Sequence, residues 1–160
     1  MTGSNGEVRM GLTSDLQVYF PNITNQNYVH TSRRTTTYNC IAWAAGINDQ
    51  WWQPDPYYAY YWPEGVPRES TLAAYEAAYR TVGFEVCKDG TYEEGYEKIV
   101  IYIDASNVPQ HAARLLDEST WTSKLGPFID ISHDTPEVLE GPSYGTASVY
   151  MKRGRSASSA

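Results

Sequence analysis

The amino-acid sequence predicts an α+β domain in which N-terminal helices pack on a four- to five-stranded antiparallel sheet. Three observations carry this. The 160 residues make roughly one domain. Helical patterns fall in the first half of the chain, at residues 40–46 and 70–83. Later, apolar residues come in short strand-like runs separated by turn residues, which favours α+β over a doubly wound α/β arrangement.

Taken in order, residues 1–14 are rich in Gly, Ser and Thr and read as a flexible N-terminal segment. A single domain then runs over 15–151, and KRGRSASSA at 152–160 reads as a flexible tail. Leu16-Gln17-Val18-Tyr19-Phe20 reads as a short strand stopped by Pro21. CIAWAAG, at 40–46, reads as a helix start with Asn39 as its N-cap. Residues 49–67 hold four prolines, three Trp and four Tyr. So many prolines forbid regular structure, so the rings there are displayed from a loop.

Residues 70–83 (STLAAYEAAYRTVG) form the clearest helix, with a Ser cap, Leu72, Tyr75 and Tyr79 on one face, and Gly83 at the end. The apolar run at 98–103 reads as a buried central strand. Strands follow at 111–116, 121–125, 128–131 and 144–151, and Thr135-Pro136-Glu137 opens a one-turn helix.

Composition narrows the function. Twelve Lys+Arg stand against 19 Asp+Glu, a net charge of −7. That argues against a nucleic-acid or anionic-membrane binder, whose affinity rests on a basic footprint. No apolar run reaches the roughly 18 residues of a spanning helix, and the N-terminus shows no apolar leader. The expected partner is a small-molecule or peptide substrate, with no nucleic acid and no membrane. The expected compartment is the cytoplasm, with Cys40 and Cys87 reduced. Three His and two Cys offer no short-spaced ligand pair, so no metal is expected. Neither a phosphate loop nor a dinucleotide fingerprint occurs, so no cofactor is expected. The 14 Tyr exceed the 3 Phe, which keeps many ring hydroxyls near water or a ligand.

Cys40 falls in the first turn of a helix, where free N–H groups and the helix dipole lower a thiol pKa and can hold an oxyanion. The plainer reading is a buried, small apolar residue. Cys87, in a strand-like stretch, reads as buried and inert. His111 opens a strand, and the small residues Ala112 and Ala113 let another element approach closely. His30 reads as a surface residue. His133 is either a surface residue or a support for another group.

Asn39-Cys40-Ile41-Ala42-Trp43-Ala44 resembles the nucleophile segment of papain-like cysteine hydrolases of the NlpC/P60 and CHAP kind, C-x-x-[WY]-A, in which the Cys starts a helix. The order of elements over residues 38–131 is similar too, although Ala112-Ala113-Arg114 departs from the β-branched run that usually follows the family's His. The resemblance implies a papain-like fold with Cys40 as nucleophile, His111 as general base and a third polar residue orienting the imidazole. Asp130 suits that third role best, because a carboxylate fixes the tautomer and stabilises imidazolium. Ser123, Asn39 and Gln110 are the alternatives.

Around these residues Trp43, Trp121 and Lys124 are substrate-binding candidates. Lys124 either holds a carboxylate or oxyanion or is a solvent-facing charge, and Arg114 has the same two readings. The ring-rich run at 57–62 is a lid packed on the sheet or the wall of a pocket, with Tyr58, Tyr61 and Trp62 as its candidates. The leading expectation is a cofactor-free Cys–His enzyme of the acyl-transfer or amide-hydrolase type. The second is a small-molecule cyclase or dehydratase run by His111 and Tyr acid–base groups, with Cys40 structural. The third is a binding module on a hydrolase-like scaffold.

Overall fold

The computed structural model describes residues 12–32, 37–125 and 129–155. Its strands are β1 (Tyr28–Ser32), β2 (Glu85–Cys87), β3 (Tyr96–Ile103), β4 (Pro109–Leu115), β5 (Trp121–Lys124), β6 (Asp130–His133) and β7 (Thr146–Gly154). They form one antiparallel sheet in the order β1-β6-β5-β4-β3-β7-β2. The helices are short: α1 (residues 12–17), α2 (Cys40–Ala44) and α3 (Leu72–Arg80), with a 3-10 turn at Pro136–Leu139.

This overturns the expected fold class. The molecule is β-rich, with seven strands and small helices, not N-terminal helices packed on four or five strands as in the papain-like arrangement. The two outer strands account for much of the difference. β1 is a polar edge strand that buries Tyr28 but leaves Val29 half exposed, so it carries little apolar signal. β2 is only three residues long.

The strand expected at Leu16–Phe20 is also replaced, by α1 and a turn. Leu16 and Phe20 are buried four residues apart, whereas Val18 and Tyr19 face solvent. That is helical spacing. Residues 12–14, assigned to a flexible segment, belong to α1, and Lys152–Gly154, assigned to the tail, belong to β7. The remainder of 1–14, residues 156–160 and Phe128 of the expected 128–131 strand lie outside the described residues.

The sheet has a core on each side. On the helix side α2 and α3 pack with Trp52, Trp62, Ile99, Ile101, Ala112 and Met151. On the far side Leu16, Phe20, Val100, Tyr102, Trp121 and Leu139 enclose a second core. Each fully buried aliphatic side chain contributes about 1.5–3 kcal/mol. Asn39 caps α2 as predicted, its Oδ1 accepting from Ala42 N at 3.2 Å and Trp52 N at 3.0 Å. Thr71, one residue past the predicted Ser, caps α3. The Tyr79 hydroxyl donates to the Ile41 carbonyl at 2.8 Å and ties the helices together.

Among the described residues no helix is long and apolar enough to cross a membrane.

Candidate functional site

Strand alternation decides which side chains meet. Along β4, Ala112 belongs to the helix-side core with Cys40, so His111 must point the other way. There its ring lies flat on Tyr144, centroids 4.0 Å apart and 1° from parallel, with Tyr102 at 5.1 Å. The sheet therefore stands between Cys40 and His111, and the expected pair does not assemble. Asp130 is not the partner of His111 either. It faces the helix side, where the Tyr38 hydroxyl donates to its Oδ2 at 2.5 Å and its charge bears on Lys124.

The partner of His111 is Ser123. His111 Nε2 and Ser123 Oγ are 2.9 Å apart, and Ser123 Oγ lies 2.8 Å from His133 Nε2. His133 Nδ1 reaches the Thr135 carbonyl at 2.9 Å. All three side chains are buried. A carbonyl can only accept, so His133 Nδ1 carries hydrogen. Burial holds the His133 pKa down to about 4, against the Thr135 carbonyl and the Asp134 charge, so its Nε2 is bare. Ser123 spends its one hydrogen on that nitrogen, and His111 must donate from Nε2 to Ser123. Burial, with His133 beside it, also keeps His111 neutral at pH 7. Its Nδ1 is thus left as a bare, buried lone pair without a hydrogen-bond partner among the described residues.

Over the face of the His111 ring lies a loop that no motif in the sequence singled out. Gly141 and Gly145 exchange two backbone hydrogen bonds, of 3.1 and 2.8 Å, and hold Tyr144 over His111. A Cβ on Gly145 would lie 1.9 Å from the Ile103 carbonyl oxygen, at a φ of +79°. Only glycine fits there. The two glycines bracketing a tyrosine were the available signal. Outside the loop a cavity of about 670 Å³ is lined by Ile103, Asp104, Glu140, Gly141, Gly145 and Ser148. Burial pushes the Tyr144 phenol well above its ordinary pKa, so it stays protonated.

On the helix side Cys40 sits among apolar neighbours. Burial pushes its thiol up to about 11, although the Ala112 backbone and the Lys124 charge both pull it down. The helix start predicted to activate the thiol is outweighed by desolvation. Lys124 is not a solvent-facing charge: it is fully buried, its Nζ 5.6 Å from the centre of the Tyr38 ring. Tyr38 stacks on Trp43 at 5.4 Å, and the Trp43 Nε1–H donates to Thr122 at 3.2 Å.

The remaining candidates are dispersed. Trp121 is in the far-side core against Tyr150. Trp62 is buried against Tyr75, and Trp52 is buried as well, so these rings are core and not display. Tyr58 and Tyr61 are exposed, and the Arg68 guanidinium lies 4.2 Å over the Tyr58 ring. Gln110 donates to Asp104 at 3.0 Å. Cys87 is partly exposed rather than buried, and His30 is exposed as expected. Among the described residues no group of three His, Cys, Asp or Glu side chains is placed to hold a metal ion.

Fold and site together define a β-rich protein whose antiparallel sheet carries a buried His–Ser–His hydrogen-bond line. A family model, that of a domain of unknown function designated DUF7689, matches residues 29–152, and the chain belongs to that family. The match spans every strand but the last two residues of β7 and the first of β1. No curated protein and no solved structure matches the chain.

Proposed function

We propose that the chain is a cofactor-independent enzyme acting by general acid–base catalysis on an enolisable small molecule, as a cyclase or dehydratase does. His111 is the base and Cys40 a packing residue. The observation that carries the reading is the His133–Ser123–His111 chain, which leaves one bare nitrogen, Nδ1 of His111, without a hydrogen-bond partner among the described residues.

The chemistry balances within these residues. His111 Nδ1 takes a proton from a carbon beside a carbonyl. His111 Nε2–H then passes to Ser123 as Ser123 gives its hydrogen to His133 Nε2. The positive charge passes to His133, where the Thr135 carbonyl and Asp134 offset part of the burial that opposes it. The protonated Tyr144 phenol is the nearby donor for the enolate oxygen. Substrate enters from the cavity outside the 141–145 loop when Tyr144 swings off His111. The two free thiols fit the cytoplasm as the compartment.

The test is solvent exchange. Small ketones and thioesters incubated with the protein in D₂O are expected to gain deuterium beside the carbonyl, read by mass spectrometry. Exchange is lost in His111→Gln and kept in Cys40→Ala. Exchange that survives His111→Gln but not Cys40→Ala would sink the proposal.

One observation favours acyl transfer by Cys40 as a second reading: the Ala112 backbone and Lys124 both stabilise its thiolate. It requires a Cys40-dependent acetyl adduct after treatment with p-nitrophenyl acetate, and unmodified Cys40 removes it.

A further inference from the structure

The helix side of the sheet carries a second cavity, of about 440 Å³, which includes Thr31, Tyr38, Trp43, Arg114, Thr122 and Asp130 in its lining. Arg114 is the unusual member. Among the described residues the other part-buried arginines, Arg153 and Arg68, have hydrogen-bond acceptors. Arg153 donates to Glu97 and to the Val82 and Ala45 carbonyls, and Arg68 donates to Asp55 and the Tyr60 carbonyl. Among the described residues Arg114 has neither a hydrogen-bond acceptor nor a carboxylate within ion-pair distance. Its guanidinium lies 5.5 Å over the Trp43 ring. A guanidinium offers five donors in a planar fork that matches a carboxylate, and leaving them unmet in a half-buried site costs stability.

The charge around it has the same sense. Arg153 and Arg155 both bear on Arg114, and the carboxylate that faces them, Glu97, is already bonded to Arg153. In a chain of net charge −7, the charges that bear on Arg114 are thus two cations against one carboxylate. Asp130, the carboxylate in the lining, accepts from Tyr38 and faces the Lys124 charge. Its presence disfavours a second negative charge on whatever enters.

We infer that this cavity binds a small monocarboxylate, its carboxylate forked on Arg114 and its apolar part against Trp43. The site lies across the sheet from His111 and does not depend on the relay.

Benzoate is the probe, with benzylamine and phenyl phosphate as comparators, in calorimetric titrations of the full chain. Benzoate is expected to bind wild-type protein and to shift the Trp43 Nε1–H resonance, assigned with Trp43→Phe. Arg114→Ala is expected to weaken benzoate by about tenfold or more, the loss typical of a charged hydrogen-bonded partner. Arg114→Lys, which keeps the charge and loses the fork, falls between the two, and His111→Gln binds as wild type. Benzylamine or phenyl phosphate binding as tightly as benzoate would overturn the inference. So would undiminished binding by Arg114→Ala and Arg114→Lys, or a wild-type protein that takes up no benzoate.

Discussion

The two faces of the sheet handle buried polarity in opposite ways. On the far face His111, Ser123 and His133 form a line of hydrogen bonds in which each proton position follows from the Thr135 carbonyl at its end. On the helix face the polar groups sit among rings, and contacts run from Lys124 to Tyr38 to Trp43 to Arg114. The first arrangement keeps its groups neutral and directional. The second keeps two cations and leans on ring faces, whose electrostatics are less directional. Burial favours the neutral form of each group: it keeps the Cys40 thiol protonated and the His111 imidazole uncharged.

The largest effect that breaks this comparison is expected from Gly145→Ala. The added Cβ meets the Ile103 carbonyl and the φ is unfavourable, so unfolding by denaturant should show a loss of about 3 kcal/mol or more. Tyr144 would also leave His111, read as faster modification of the imidazole.

Acid comes next, and it acts on the far face. An imidazole whose folded pKa is lowered binds protons better when the chain unfolds, so its stabilisation is complete above pH 6.5 and is lost as pH falls toward about 4. For His133 that gap is worth about 3 kcal/mol, and His111 adds in the same direction. Urea midpoints measured across this window should decline steeply; a flat profile would remove the neutral relay.

Ser123→Ala leaves two buried imidazoles without their bridge. A loss of about 2 kcal/mol in stability is expected, together with a changed His133 titration by NMR. On the helix face Cys40→Ala should cost only about 1–2 kcal/mol, the scale of a small cavity. A thiol reagent at neutral pH should label Cys87 quickly and Cys40 only on unfolding, because the buried thiol stays protonated. Fast labelling of Cys40 in the folded protein would erase the contrast between the faces.

Much of this was legible in the chain. The run at 98–103 is the buried middle of β3, Asn39 caps α2, and the 70–83 pattern contains α3. What failed was direction. Ala112 was rightly read as the residue that lets another element approach, and α2 does pack there. The same alternation then turns His111 away from α2, a consequence of period two that the family resemblance overrode. Ser123 lay at the spacing where the next strand presents it, but the preference for a carboxylate passed over it. β1 stayed hidden because an edge strand with one buried ring has almost no apolar period. Arg114 and Lys124 were seen as candidates, but whether they are engaged depends on distant loops that no local pattern reports.

The bridge between Gly141 and Gly145 sets a timescale as well as a shape. Opening the 141–145 loop as a unit breaks two backbone hydrogen bonds, a cost of about 2 kcal/mol before the Tyr144–His111 ring stack is counted. A closed cover of that strength still opens on its own, to an uncovered minority on the order of 1% or less. Any molecule that needs the His111 ring face now covered by Tyr144 would meet a protein open only part of the time, and its apparent affinity would be reduced by that fraction. A ligand that also grips the opened loop would recover the loss, so the loop would favour molecules that contact both it and the ring beneath.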